Sequence, residues 1–192
     1  GGSTPVAPRS VIILFIALLF GLATPFGIIY LMEILDTTIR GRKDIEDKLS
    51  IPFLGDIPEY HGSTRQGSVV VRDNGRDSVS EAFRLIRSNL GFMSVKSGKL
   101  QIIMVTSSDP HAGKTFVTTN LAMTLALADK KVVIVDLDLR RRTLSKQMGQ
   151  RDNRNGVAGY ISGTIANLND IVFQSGLHEN LDIIFAGLQP PN

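Results

Sequence analysis

The sequence contains no cysteine, which removes disulfides, thiolate metal sites and cysteine nucleophiles from consideration. Histidine is scarce as well. His61, His111 and His178 are scattered without ligand spacing, so no metal–histidine site is expected. No charge of one sign dominates: 21 basic and 18 acidic residues give a formal charge of +3, too balanced to indicate a nucleic-acid partner. Internal repeats and low-complexity blocks are absent. A last scarcity is local. The stretch SSDPHAGKT, Ser107 to Thr115, has the frame of a G-x-x-x-x-G-K-[ST] phosphate loop, but Ser108 stands where the first glycine belongs.

What is present begins with a long apolar run. VIILFIALLFGLATPFGIIYLM, Val11 to Met32, carries no charge, and as a helix it would extend about 33 Å, enough to cross a hydrocarbon core. A signal peptide has a shorter apolar part, a basic start and a small-residue cleavage site, none of which fits. A buried helix of a soluble protein is rarely apolar on every face. The run is therefore expected to span a membrane, kinked near Pro25 and Gly27. Only Arg9 precedes it, whereas Arg40, Arg42, Lys43 and Lys48 follow, so the C-terminal part is expected on the cytoplasmic side, where ATP is.

The chain starts on Gly1 rather than Met and stops on LQPPN in mid-pattern, and it is expected to be a piece of a longer protein. Residues 1 to 10 read as a tail, with Gly1 to Ser3 resembling a cloning remnant, and 11 to 32 as the span. Residues 33 to 58 read as a juxtamembrane segment, helical to near Ser50 and extended through IPFLGDIP because of Pro52 and Pro58. Residues 59 to 77 read as a polar linker with one short extended piece, VVV. The globular pattern runs from 78 to 192.

SVSEAFRLIRSNLGFM has a helical apolar stripe, with Ser78 and Glu81 spaced as a capping box. QIIMVT (101 to 106) reads as a strand, followed by the loop and a helix from Lys114 to about Asp129. KVVIVDLD (131 to 138) and LDIIFAG (181 to 187) read as further strands. Short helices are expected near 143 to 148 and within GVAGYISG, the latter packing Tyr160. Strand and helix alternate with short links, which predicts an α/β fold with a parallel sheet covered by helices.

A phosphate loop works through backbone N–H groups that converge on oxygens at a helix N-terminus. Here Lys114 would reach the β/γ-phosphates and the Thr115 hydroxyl would bind Mg²⁺. A lone GKT also fits an ordinary helix start with a solvated lysine; the strand–loop–helix context favours phosphate. Asp136 and Asp138, two apart at a strand end, are expected on one face. Such a pair either holds a divalent cation or is a solvated acidic end partnered by Arg140, Arg141 and Arg142.

Taken together, these stretches resemble a known family. SSDPHAGKT followed by an apolar strand ending in D-x-D-x-R is similar to the Walker A and Walker A′ motifs of bacterial tyrosine kinases, the BY-kinases. EAFRLIRSNL resembles that family's E-x-x-R-x-x-R helix, matched by Glu81, Arg84 and Arg87. The apolar run followed by LDTTIR…IPFLGDIP resembles the second span and cytoplasmic exit of Wzz-type polysaccharide co-polymerases.

The resemblance implies a P-loop NTPase-type fold behind one transmembrane helix, in a protein-tyrosine autokinase of the bacterial inner membrane. Such a kinase uses ATP and Mg²⁺ and governs capsular or exopolysaccharide chain length and export. Ser108, Asp109, Pro110, His111, Ala112, Gly113, Lys114, Thr115 and Phe116 would bind nucleotide. Lys114, Asp136 and Asp138 would be catalytic, and Thr115, Asp136 and Asp138 would hold the metal. Asp136 is the expected group for the incoming tyrosine hydroxyl, with an exchange of roles with Asp138 left open. Glu81, Arg84 and Arg87 would contact the neighbouring subunit of a ring.

Implied partners are further copies of the chain, a neighbour's tyrosine-rich C-terminal tail, the polysaccharide export machinery, a cognate tyrosine phosphatase and the lipid bilayer, with no nucleic acid. The family's Walker B strand and tyrosine cluster are expected after Asn192, which would leave QIIMVT with an open edge. Where the family often has P-G-E-G-K, His111 and Ala112 stand here; a positive φ at 111 would cost histidine something, though less than most residues. Two other classes compete. A ParA/MinD-type ATPase switch carries a lysine where this chain has Asp109, and a non-catalytic membrane scaffold needs no intact site.

Overall fold

The computed structural model describes residues 10–36, 41–46, 50–62, 69–97, 101–149 and 155–187. Residues 1–9 of the expected tail, with the flanking Arg9, as well as Arg40, Lys48 and the middle of the expected linker, lie outside the described residues. The chain divides into two compact units, Gly1–Ile51 and Pro52–Asn192.

The first unit is dominated by α1, Ser10–Leu35, whose 26 residues correspond to about 39 Å. All its side chains are exposed, and it is the one helix among the described residues long and apolar enough to cross a membrane. The helix continues through Pro25, and the Thr24 hydroxyl just before it donates to Phe20 O at 2.7 Å. A short helix, α2, covers Arg42–Glu46.

In the second unit, α3 (Ser78–Ser97) and α4 (Lys114–Ala126) pack on each other. They are followed by β1 (Val132–Val135), α5 (Thr143–Gln147), α6 (Val157–Ile161), a 3₁₀ turn (Leu168–Ile171), β2 (Val172–Gln174) and β3 (Leu181–Ile184). The sheet order is β1-β3-β2. β1 runs parallel to β3, with Val132 opposite Leu181 and Val135 opposite Ile184. β2, which the sequence does not announce, closes an antiparallel pair with β3. The central β3 has Leu181, Ile183 and Ile184 buried, as expected of a strand with a neighbour on each side.

α4 is sandwiched between two apolar clusters. Ala122 and Ala126 face Ile134, Leu144, Leu181, Ile183 and Phe185, and their small side chains let the helix lie close to the sheet. Leu121 faces Val70, Val71, Val79, Phe83 and Ile86. Gly156 enables another close approach: a Cβ there would stand 2.4 Å from Phe185 O. The start of α6 is thereby hydrogen-bonded to the chain after β3, Val157 N to Phe185 O and Ala158 N to Ala186 O.

Two segments outside the expected globular core belong to it. Leu54 O accepts from Asn89 Nδ2 at 2.8 Å, and Ile57 joins the α3–α4 cluster, so the chain from Leu54 to Ile57 lies along α3. The extended piece within residues 59 to 77 is buried: Asn120 Oδ1 accepts from Val70 N at 2.8 Å and Val71 N at 3.1 Å.

The structure corrects two local expectations. QIIMVT joins no ladder, and Ile102 and Met104 are 87% and 81% exposed. An apolar pattern makes a strand only where a neighbour supplies hydrogen bonds. β3 fills one side of β1, and no described segment pairs with its other side. The cap of α3 is also one residue earlier than expected. Asp77, not Ser78, accepts from Ser80 N at 2.9 Å and from the Ser80 hydroxyl at 2.7 Å.

Asn120 is the polar centre of this arrangement, and Asn120→Ala would leave two buried N–H groups without their acceptor. Replacement should cost about 2–4 kcal/mol of stability. Amide hydrogen exchange of the intact protein checks it: protection at Val70 and Val71 should fall before that of β3.

Candidate functional site

The phosphate-type loop closes through its own atoms. The Ser107 hydroxyl donates to Asp109 O at 2.8 Å, while Lys114 Nζ donates to Ser107 Oγ at 2.7 Å and to Asp109 O at 3.3 Å. Lys114 is thus folded back over the loop rather than extended into solvent. Gly113 is the N-cap of α4 at φ 85°, and no side chain caps this terminus. A Cβ at Gly113 would meet nothing within 4 Å, so the backbone angle, not space, calls for glycine. The helix start keeps unpaired N–H groups and its positive dipole end toward the loop.

His111 has φ 67°, so the position does require the left-handed region, and a residue other than glycine fills it. Ser108, Asp109, Pro110 and Ala112 are exposed at the loop surface. Thr115 sits in the first turn of α4, half-buried. The Phe116 ring turns away into the α3–α4 cluster, 6.0 Å from the Phe83 ring. Its part in the loop is limited to its backbone.

β1 ends at Val135, though Asp136 N still donates to Ile184 O at 2.9 Å, and Asp138 follows before the turn at 139–141; Asp136 is buried and Asp138 exposed. Asp136 is 7% exposed; its Oδ1 accepts from Asp138 N at 3.1 Å and its Oδ2 is 3.4 Å from the Ser145 hydroxyl. Asp138 is exposed, with Oδ1 accepting from Arg141 N at 2.9 Å and Oδ2 3.4 Å from the Thr143 hydroxyl. Burial pushes the Asp136 carboxyl above the usual carboxylate range, and the Asp138 charge adds to this. The hydrogen bonds from Asp138 N and Ser145 oppose the shift without cancelling it.

One contact joins this turn to the loop: Arg141 Nη1 lies 3.4 Å from His111 Nε2. Spacing did not announce it, and neither did it announce Thr143 and Ser145 as partners of the aspartates. Among the described residues no group of three or more histidine, aspartate or glutamate side chains gathers. Two carboxylates and the Thr115 hydroxyl nevertheless suit magnesium, which takes one or two carboxylates and completes its shell with phosphate oxygens and water.

Glu81, Arg84 and Arg87 do not act as one free group. Arg84 pairs with Glu81 and also reaches Asp73 O. Half-buried Arg87 donates to Thr124 O at 3.1 Å and so ties α3 to α4. Tyr160, expected to be packed, is 41% exposed on α6.

Residues 103–186 match the CobQ/CobB/MinD/ParA nucleotide binding domain family. A Klebsiella pneumoniae protein of the cps region, assigned as a tyrosine-protein kinase, is 28% identical over 202 aligned positions, covering 98% of this chain and 27% of that protein. The tyrosine-protein kinase etk of Escherichia coli K12 is 37% identical over 120 positions, 62% of this chain and 16% of the relative. The solved kinase domain of Escherichia coli ETK superposes with a TM-score of 0.68 at 28% identity, covering 81% of this chain and 62% of that one. The chain therefore spans about a quarter or less of these two relatives. Its homologues are bacterial tyrosine-protein kinases, and its fold is the α/β fold of P-loop nucleotide-binding kinase domains.

The buried charge at Asp136 generates a stability prediction. A carboxyl whose folded pKa is raised loses folding stability as pH climbs from the ordinary carboxylate range through the raised value. Asp136→Asn keeps an acceptor for Asp138 N and removes the charge. At neutral pH in EDTA it should melt higher than wild type. The difference should vanish near pH 4 and below, where both states protonate.

Proposed function

We propose that this chain carries the nucleotide-binding part of an ATP-dependent protein-tyrosine autokinase of the bacterial inner membrane. Its further role is control of capsular or exopolysaccharide chain length and export. The observation that carries the proposal is the Arg141–His111 contact, which brings the Lys114 loop and the Asp136–Asp138 turn to one mouth at the start of α4. The kinase names of the relatives, one from a cps region, supply the reaction class and the polysaccharide setting. Helix α1 supplies the anchor.

Phosphoryl transfer asks a protein mainly to position groups and to neutralise charge. The N–H groups of residues 111 to 115 receive phosphate oxygens, and Lys114 leaves Ser107 and Asp109 to meet them. Thr115 and Asp138 would hold Mg²⁺, with Asp136 beside them; the ion, when bound, offsets phosphate charge. Asp136, with its carboxyl raised by burial, is the better proton acceptor of the two aspartates. Its task is to orient and deprotonate a tyrosine hydroxyl whose pKa is about 10. Exposed Asp138 is the better ligand.

A ParA/MinD-type ATPase switch is the second reading, favoured by the matched family's description. Asp109 stands where such a switch carries its signature lysine. Glu81, Arg84 and Arg87 are the proposed contact to a neighbouring copy in a ring, Arg87 acting by fixing α3 on α4.

Two measurements on the intact protein test these proposals. Lys114→Met should reduce phosphotyrosine on immunoblots at least a hundredfold; undiminished phosphotyrosine would sink the kinase proposal, and ATP hydrolysis by wild type without phosphotyrosine would favour the switch. Glu81→Lys should shift the protein toward monomer in analytical ultracentrifugation, and an unchanged oligomer would leave Glu81 as a plain ion-pair partner of Arg84.

A further inference from the structure

We infer that Arg141 is a phosphate-binding residue of this site, specific for the terminal phosphate, and that His111 is the positioning residue that holds it over the loop. The inference rests on the nucleotide-binding proposal above and assigns a role to residues outside the Lys114, Asp136 and Asp138 set.

Three non-glycine residues have positive φ among those described: His111 at 67°, Asp129 at 57° and Arg142 at 53°. Two of them flank a single contact. His111 bears the ring that Arg141 touches, and Arg142 is the next residue of the turn that presents Arg141. Left-handed backbone at a residue with a Cβ costs energy and persists where surrounding structure imposes it, commonly at binding sites. Glycine at 111 would adopt the same angle freely and would leave Arg141 untethered.

The backbone of Arg141 is fixed independently. Its N–H donates to Asp138 Oδ1 at 2.9 Å, and Arg142 N donates to Asp138 O at 2.9 Å. The guanidinium is therefore delivered from the segment that carries the two carboxylates. With Nε2 of His111 unprotonated, Arg141 Nη1 donates to it at 3.4 Å. A guanidinium has five N–H donors in a planar fork, so the contact leaves an edge that matches two phosphate oxygens. Among the described residues Arg141 makes no ion pair, and its side chain is exposed.

This placement predicts which phosphate is read. The N–H groups of α4 serve the phosphates lying along the loop, a set shared by ATP and ADP, while Lys114 would reach the β/γ pair. The carboxylates would act where the transferred phosphate sits; the backbone N–H of Arg141 is bonded to one of them, and its guanidinium lies against His111 of the loop. Its fork accordingly meets the group that ATP has and ADP lacks.

Titrating MgATP and MgADP onto the intact protein in detergent by calorimetry tests this. Arg141→Ala should weaken MgATP about tenfold, the scale of a lost charge-assisted pair, and change MgADP by less than about threefold. Arg141→Lys should recover only part of the loss, since it restores the charge without the fork. His111→Gly should lower MgATP affinity relative to MgADP in the same direction. Combined with Arg141→Ala it should add little. An unchanged MgATP-to-MgADP ratio in Arg141→Ala, or an equal loss of both nucleotides, would overturn the role of Arg141. Full additivity of the two substitutions would overturn that of His111. A wild-type protein that binds neither nucleotide would overturn the nucleotide-binding proposal, and this inference with it.

Discussion

Helix α4 is held on two sides at once, and the rest of the second unit follows from that constraint. Its alanines lie on the sheet, Leu121 packs into the α3 cluster, and Asn120 is buried with both Val70 and Val71 hydrogen-bonded to it. Arg87 adds a bond from α3 to Thr124 O. A helix so enclosed cannot tilt without breaking apolar packing and orphaning polar groups together. Its first turn, which no side chain caps, is therefore a fixed frame on which a glycine-poor loop can still be shaped.

The second half of the mouth has a different support. β1 ends early, and the chain turns through hydrogen bonds to its own aspartates: Asp138 N to Asp136, then Arg141 N and Arg142 N to Asp138. These bonds draw two like charges together while keeping their surroundings unequal. Asp136 is enclosed and its carboxyl raised; Asp138 faces water. Two carboxylates of one sequence motif thus meet different surroundings, with burial the largest cause of the shift at Asp136.

Much of this was legible in the sequence, and what was not has definite causes. Length of an uncharged apolar run located α1, a helical stripe located α3, short apolar runs located β1 and β3, and the loop signature located the start of α4. QIIMVT obeyed the strand rule yet forms no ladder, since hydrogen-bond partners are not written in a strand's own residues. Val70 and Val71 sit in polar surroundings in the sequence and were placed only by a side chain 50 residues away. Asp77 replaced Ser78 as the cap because both are good caps and one residue of register decides between them. The loop was recognisable from Gly113, Lys114 and Thr115, but the partner of His111 lay 30 residues further on, in an arginine run that reads equally well as a solvated end.

Charge balance gives a reason for that arginine run to be where it is. The mouth holds Asp136, Asp138 and exposed Asp109 against Lys114 and Arg141. A nucleoside triphosphate with its magnesium ion brings a net charge of about −2, and carboxylates alone would repel it. Lys114 is a compact charge already bonded within the loop, so Arg141 lowers the net negative charge that the triphosphate would meet. A lysine there would be a mobile point charge. Arginine, pinned at its backbone by Asp138 and at its tip by His111, keeps its charge and its fork aimed at one place, so less side-chain freedom remains to be lost on binding. The left-handed angle at His111 is then the local cost of preorganisation, carried by a loop whose helix cannot move.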